Sequence, residues 1–135
     1  MDFSTINWLA VLVAAISAFV IGGLWYSPLL LAKPWMKANG FTEASLQGGN
    51  MGKIFGLAFL WSLVMSANLA MFLNAPDTTA AWGATAGFLA GFGWVAMGFF
   101  IVGLFERRTT GWMLINGLYM VVALTVMGLI LGAWR

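Results

Sequence analysis

This chain of 135 residues has no cysteine and no histidine, and only ten of its side chains carry charge, six basic and four acidic. Without thiols or imidazoles it offers no disulfide, thiol nucleophile, His- or Cys-ligated haem, zinc site or imidazole acid–base pair. Charge is also missing from particular places: four long apolar stretches contain no Asp, Glu, Lys or Arg. Membrane enzymes and ion-coupled carriers keep their working carboxylates and amines inside such stretches. No metal, no cofactor and no catalytic residue is therefore expected, and a non-enzymatic role is favoured. The net charge of +2 invites an acidic partner, but Lys33, Lys37, Lys53, Arg107, Arg108 and Arg135 stand at the ends of the apolar stretches. Nucleic acid is not an expected partner.

What fills the chain is apolar. Hydrophobic residues make up 62% of it, against roughly half in a soluble domain. The stretches are residues 8–28, 54–73, 81–105 and 112–134, each long enough to cross a hydrocarbon core of about 30 Å at about 1.5 Å per residue. They show no period-two alternation, and their Leu, Ala, Met and Phe suit helices better than barrel strands. The expected fold is all-α: one domain over residues 1–135, a polytopic membrane protein with four transmembrane helices in an antiparallel bundle. The first stretch lacks a preceding basic residue and exceeds a signal-peptide core in length, so it is expected to be retained as the first helix.

Loop charges set an orientation. Residues 33–53 carry three Lys against Glu43, and Glu106 is followed by Arg107 and Arg108, whereas Asp2 and Asp77 have no basic neighbour. Both basic loops should face the cytoplasm, with both termini outside; Arg135 alone argues against this. Trp8, Trp82 and Trp134 fall at the outer boundaries, and Trp25, Trp35 and Trp112 at the inner ones, as an aromatic belt requires. The turn of Asn74, Ala75, Pro76 and Asp77 is tight enough that the second and third helices are expected to be antiparallel neighbours. The loop between the first and second helices carries its own signals. Pro34 and Gly40 bracket one short interfacial helix, Thr42 is placed to cap another through Gln47, and Gly48, Gly49 and Gly52 form a flexible link.

Three sets of residues are candidates for function, and each has a purely structural reading beside it. Small residues recur every four positions at Ala14, Ala18 and Gly22; at Ala58, Ser62, Ser66 and Ala70; at Gly83, Gly87 and Gly91; and at Gly128 and Gly132. Such stripes let helices approach closely in lipid, either closing the bundle or, for the third-helix set prolonged by Trp94 and Gly98, meeting another subunit. Trp25, Tyr26, Ser27 and Pro28 end the first helix, where proline frees the Leu24 carbonyl for the Ser27 hydroxyl; with Lys33 and Trp35 they form a polar corner suited to binding or gating. Asn68, Asn116 and Tyr119 are the polar groups in the spans that most need partners, as interhelical ties or along a path. Two strings are glycine-rich coincidences. Residues 48–53 fall one residue short of a phosphate loop and are followed by Ile54 in place of Ser or Thr; Gly91, Gly93 and Ala96 lie inside a span with no preceding strand.

Asn7, the run Leu24, Trp25, Tyr26, Ser27, Pro28, Leu29, Leu30, and the following Lys33, Pro34, Trp35, Met36 resemble the opening signature of a family of small four-helix membrane proteins, domain of unknown function 1761. The resemblance implies a bacterial inner-membrane protein and carries over no catalytic or binding residue. Small multidrug exporters are similar in length but depend on a carboxylate in their first helix, and none stands between Asp2 and Lys33 here. The expected function is that of a homo-oligomeric, non-enzymatic membrane protein acting by helix packing, as a passive pathway or by binding lipids or a partner protein. The alternative is a carrier or enzyme for a lipid-like or aromatic substrate, with its site near Tyr26, Ser27 and Lys33.

Overall fold

The computed structural model describes residues 2–135 and, among them, contains helices and no strand. A 3-10 turn at Phe3–Thr5 leads into α1 (Trp8–Trp25), followed by the short α2 (Ala32–Asn39) and α3 (Glu43–Leu46), then α4 (Met51–Phe72). The third long helix is continuous but not uniform: α5 (Ala80–Ala90) passes through a π-helical turn at Gly91–Ala96 into α6 (Met97–Phe105). The last is α7 (Thr110–Ala133). Four of these, Trp8–Trp25, Met51–Phe72, Ala80–Phe105 and Thr110–Ala133, are long and apolar enough to cross a membrane.

Each span opens with a side-chain cap, because the first N–H groups of a helix have no partner of their own. The Asn7 carboxamide accepts from the amides of Leu9 and Ala10, Asn50 from Lys53, Thr79 from Trp82 and Thr109 from Trp112, all at 3.0–3.1 Å. Asn50 starts α4 at Met51, three residues ahead of the hydrophobic stretch read from sequence. The connecting loop follows its signals: Gly40 closes α2 in the left-handed region at φ 69°, and Thr42 and Ser45 make a reciprocal capping box on α3. At the far side of α6, Arg107 takes the left-handed position at φ 55°, which lets the Arg108 amide reach back to the Gly103 carbonyl at 2.8 Å.

The fourth span is the centre of the molecule. One face of α7 receives the third span in opposite chain directions: Gly83 meets Gly128 and Gly132, Gly87 meets Leu124, and Gly91 meets Val121. The fit is backbone to backbone, since a Cβ on Gly83 would overlap the Gly128 carbonyl oxygen and one on Gly87 the Leu124 carbonyl oxygen. Another face of α7 receives α1, with Tyr119 reaching Ala18 and Trp25 reaching Ile115. α4 then packs on α1, where Ser66 donates to the Val11 carbonyl at 2.8 Å and Phe19 meets Phe55 and Phe59 edge-on. The core lies where α1, α4 and α7 converge, around Ala10, Ala14, Leu69, Leu124 and a fully buried Met127.

Two expectations are corrected. The turn at residues 74–77 does not make the second and third spans neighbours; α4 and α5 make almost no contact, and the lateral order is α4, α1, α7, then α5 with α6. The glycines explain this, because the third span spends its narrow face on α7. Nor do Trp94 and Gly98 prolong that face. The π turn adds a residue, so the contact passes from Gly91 to Ala96 on Gly117 and to Gly103 on Met113, while Trp94 is turned out at 72% exposure and a Cβ on Gly98 would meet nothing within 4 Å. The stripe is used within the chain and gives no support to a second subunit.

Replacing Gly87 by leucine is expected to cost at least about 2 kcal/mol, since neither backbone can give way. Gly93→Ala, where an added Cβ meets nothing within 4 Å, is expected to be neutral or to stabilise by up to about 1 kcal/mol. Thermal unfolding of the two variants in detergent checks the contrast.

Candidate functional site

The residues singled out in sequence separate into two places. At the end bearing the basic loops, α1 stops at Trp25 and Tyr26, and the chain turns at Pro28. The Ser27 hydroxyl donates to the freed Leu24 carbonyl at 2.7 Å, as the proline demands. The Trp25 indole N–H donates to the Ile115 carbonyl at 3.0 Å, the Tyr26 hydroxyl to Asn116 Oδ1 at 2.7 Å, and Asn116 Nδ2 to the Trp112 carbonyl at 2.9 Å. The Tyr119 hydroxyl donates to the Ala18 carbonyl at 3.0 Å, filling the space left by Gly22. Around these bonds Tyr26 stands edge-on to Tyr119 and Trp35, and Trp35 to Phe41, which seats the loop helix against the bundle. Lys33 is exposed on α2, apart from this cluster's hydrogen bonds. The polar groups of Trp25, Tyr26, Ser27, Asn116 and Tyr119 each have a partner, so the corner is a latch joining α1, α2 and α7.

Asn68 is elsewhere. Because α4 and α5 diverge, a lateral groove of about 460 Å³ lies between them. α4 supplies Met65, Asn68, Leu69 and Phe72 to one wall, and the third span supplies Trp82, Ala86, Leu89, Trp94 and Val95 to the other, with Leu124 of α7 as the floor. Trp94 is there because the π turn swings it off the α7 contact. Asn68 is the one lining side chain that is neither aliphatic nor aromatic. The other hydroxyl and amide side chains within the four apolar stretches are bonded: Ser17, Ser62, Thr85 and Thr125 to carbonyls of their own helices, and Ser66, Asn116 and Tyr119 across helices. Among the described residues Asn68 makes no such bond. It is not an interhelical tie.

The model of the family described as "Protein of unknown function (DUF1761)" matches residues 9–132. The chain belongs to that family. No curated protein and no solved structure matches it. The matched span of this family member holds every residue of the latch and of the groove.

Sequence reasoning missed the groove and a clasp at its closed end. Asn74 Nδ2 donates to the Asp2 carbonyl and to Thr5 Oγ1, both at 2.8 Å, and Arg135 donates to the carbonyls of Leu73 and Ala75. The guanidinium thus meets the last turn of α4, where carbonyls lack helical donors and the helix dipole is negative. Both termini are tied to the turn between α4 and α5. Hydrogen bonds from the Ser4 hydroxyl and amide hold the exposed Asp2 carboxyl below its ordinary range. Among the described residues no group of three or more acidic, His or Cys side chains is placed to hold a metal ion.

If the polar corner is a latch, Tyr26→Phe and Asn116→Leu should each destabilise the protein by about 1 kcal/mol. Combined, they should cost clearly less than the sum, because the second change removes a group already orphaned by the first. Denaturant unfolding in detergent across the double-mutant cycle checks this; strict additivity would contradict the shared bond.

Proposed function

We propose that this protein is a non-enzymatic, multi-pass protein of a bacterial inner membrane that binds a lipid-like molecule in the groove between α4 and the third span. The observation that carries the reading is the groove itself, about 460 Å³, open sideways and lined by apolar and aromatic side chains around one amide. Its volume falls within the roughly 300–1,000 Å³ of ordinary ligand sites, and its chemistry is that of an acyl environment with one orienting group. In a membrane, lipid has direct access to it. The basic loops, with Lys33, Lys37, Arg107 and Arg108, are read as the cytoplasmic end, and α2 as lying along the headgroups there.

Binding is favoured over a passive pathway because a path for water or ions needs free polar groups in line. The hydroxyls of the spans are committed to helix carbonyls instead. It is favoured over a carrier or enzyme at Tyr26, Ser27 and Lys33 because both hydroxyls there are engaged, and a lone serine without a base is a poor nucleophile. The reading needs no second subunit, since the glycine stripe is covered by α7.

A photoactivatable diazirine fatty-acyl probe in liposomes, with labelled positions mapped by mass spectrometry, tests the proposal. Labelling is expected to concentrate on Phe72, Leu89 and their neighbours, to saturate with probe, and to fall in an Ala86→Trp variant that fills the groove. Even, unsaturable labelling of all lipid-facing helix surfaces would overturn it.

A further inference from the structure

Resting on that reading, we propose that Asn68 makes the groove selective for a single-chain amphiphile whose chain end carries an uncharged hydrogen-bonding group: an ester, amide or alcohol. Three observations define the occupant. The first is position. α4 has 22 residues, about 33 Å of helix, close to the roughly 30 Å of a hydrocarbon core, and Asn68 lies four residues before its end at Phe72, about 6 Å in. That places the carboxamide about one helical turn inside the hydrocarbon on the side of the termini, just beneath the depth at which the acyl linkage of a membrane lipid lies.

The second is chemistry. A primary amide presents two donors and an acceptor, and an amide facing hydrocarbon without partners is unfavourable. Asn68 spends none of them within the described residues, while no charged side chain lines the groove to receive a carboxylate or a phosphate. The group it suits is therefore neutral and polar.

The third is shape. Trp82 and Trp94 mark positions twelve residues apart on the wall opposite Asn68, about 18 Å along the helix, so the trough is long. It runs between just two helices over the Leu124 floor. An extended chain fills such a trough with its polar end at Asn68 and its tail toward Trp94. A second copy of this protein would have to present a comparable side chain, and its association is an outcome the test resolves.

The experiment is competition against the diazirine acyl probe by hexadecane, hexadecanol, methyl palmitate and palmitate, on the full-length protein and on Asn68→Leu and Asn68→Gln. For the native protein the alcohol and ester are expected to compete about tenfold better than the alkane, the size of one net hydrogen bond, and the ionised acid is expected to gain no advantage over them. Asn68→Leu should keep alkane binding and lose the preference, and Asn68→Gln should retain part of it. Because Asn68 has no bond within the chain to lose, the leucine variant should unfold no earlier than the native protein. Equal competition by alkane and ester, or a preference that survives in Asn68→Leu, overturns the selectivity while leaving the groove as a lipid site. Failure of every compound to compete overturns both, as does native mass spectrometry showing a dimer that Ala86→Trp breaks apart.

Discussion

The contact on which the rest of the structure depends is the bare backbone interface between the third and fourth spans. In lipid there is little gain from hiding one apolar helix against another, so association rests on how closely the backbones come. Gly83, Gly87 and Gly91 bring the third span onto carbonyls and Cα atoms of α7, and Gly128 and Gly132 complete the fit from the other side. No side chain stands between them. Once the third span is committed in this way, it has no comparable face left for α4, even though a short turn joins the two. The divergence of α4 from α5, and hence the groove, follows from where the glycines are.

Hydroxyl and amide side chains within the four apolar stretches follow a consistent rule, with Asn68 as the exception. Hydroxyls fold back onto carbonyls of the preceding turn or reach a carbonyl of the next helix, and helix starts are covered by Asn or Thr. Tyr26 and Asn116 answer each other, and the Arg135 guanidinium covers carbonyls at the end of α4. Such closure is what hydrocarbon demands, because an unmet donor there has no water to turn to. Asn68 departs from the rule where α4 and α5 part. The exception and the opening coincide, which is why the same side chain carries both the functional reading and its selectivity.

Much of this was legible in the residues. Charge-free stretches of sufficient length marked the four spans, Pro34, Gly40 and Thr42 marked the loop helices, and Pro28 with Ser27 marked the end of α1. The glycine stripe was visible too, but its partner was not, because spacing shows which face is narrow and not what meets it. The π turn escaped because its effect is a change of phase: the ordinary helical period carried past Gly91, three and seven residues on, puts Trp94 and Gly98 on the face that Ala96 and Gly103 hold. Adjacency in sequence misled for the second and third spans, since a tight turn fixes only where two helices meet. Asn68 and Asn116 looked alike as amides in hydrocarbon, and only the neighbours contributed by distant helices separate a latch from an open site. Arg135 read as a topological inconsistency until the carbonyls of Leu73 and Ala75 were seen beside it.

The absence of cysteine permits a direct measurement of the helix order, in lipid, by disulfide trapping between introduced pairs. A bridge forms only where Cβ atoms lie within about 4.5 Å of one another. Cysteines at positions 11 and 66, where α1 and α4 touch, should oxidise readily, whereas cysteines at 68 and 86, on opposite walls of the groove, should stay reduced. Rapid bridging of the 68 and 86 pair in bilayers would show α4 and α5 in contact, and would contradict the claim that the third span is held by α7 away from the second.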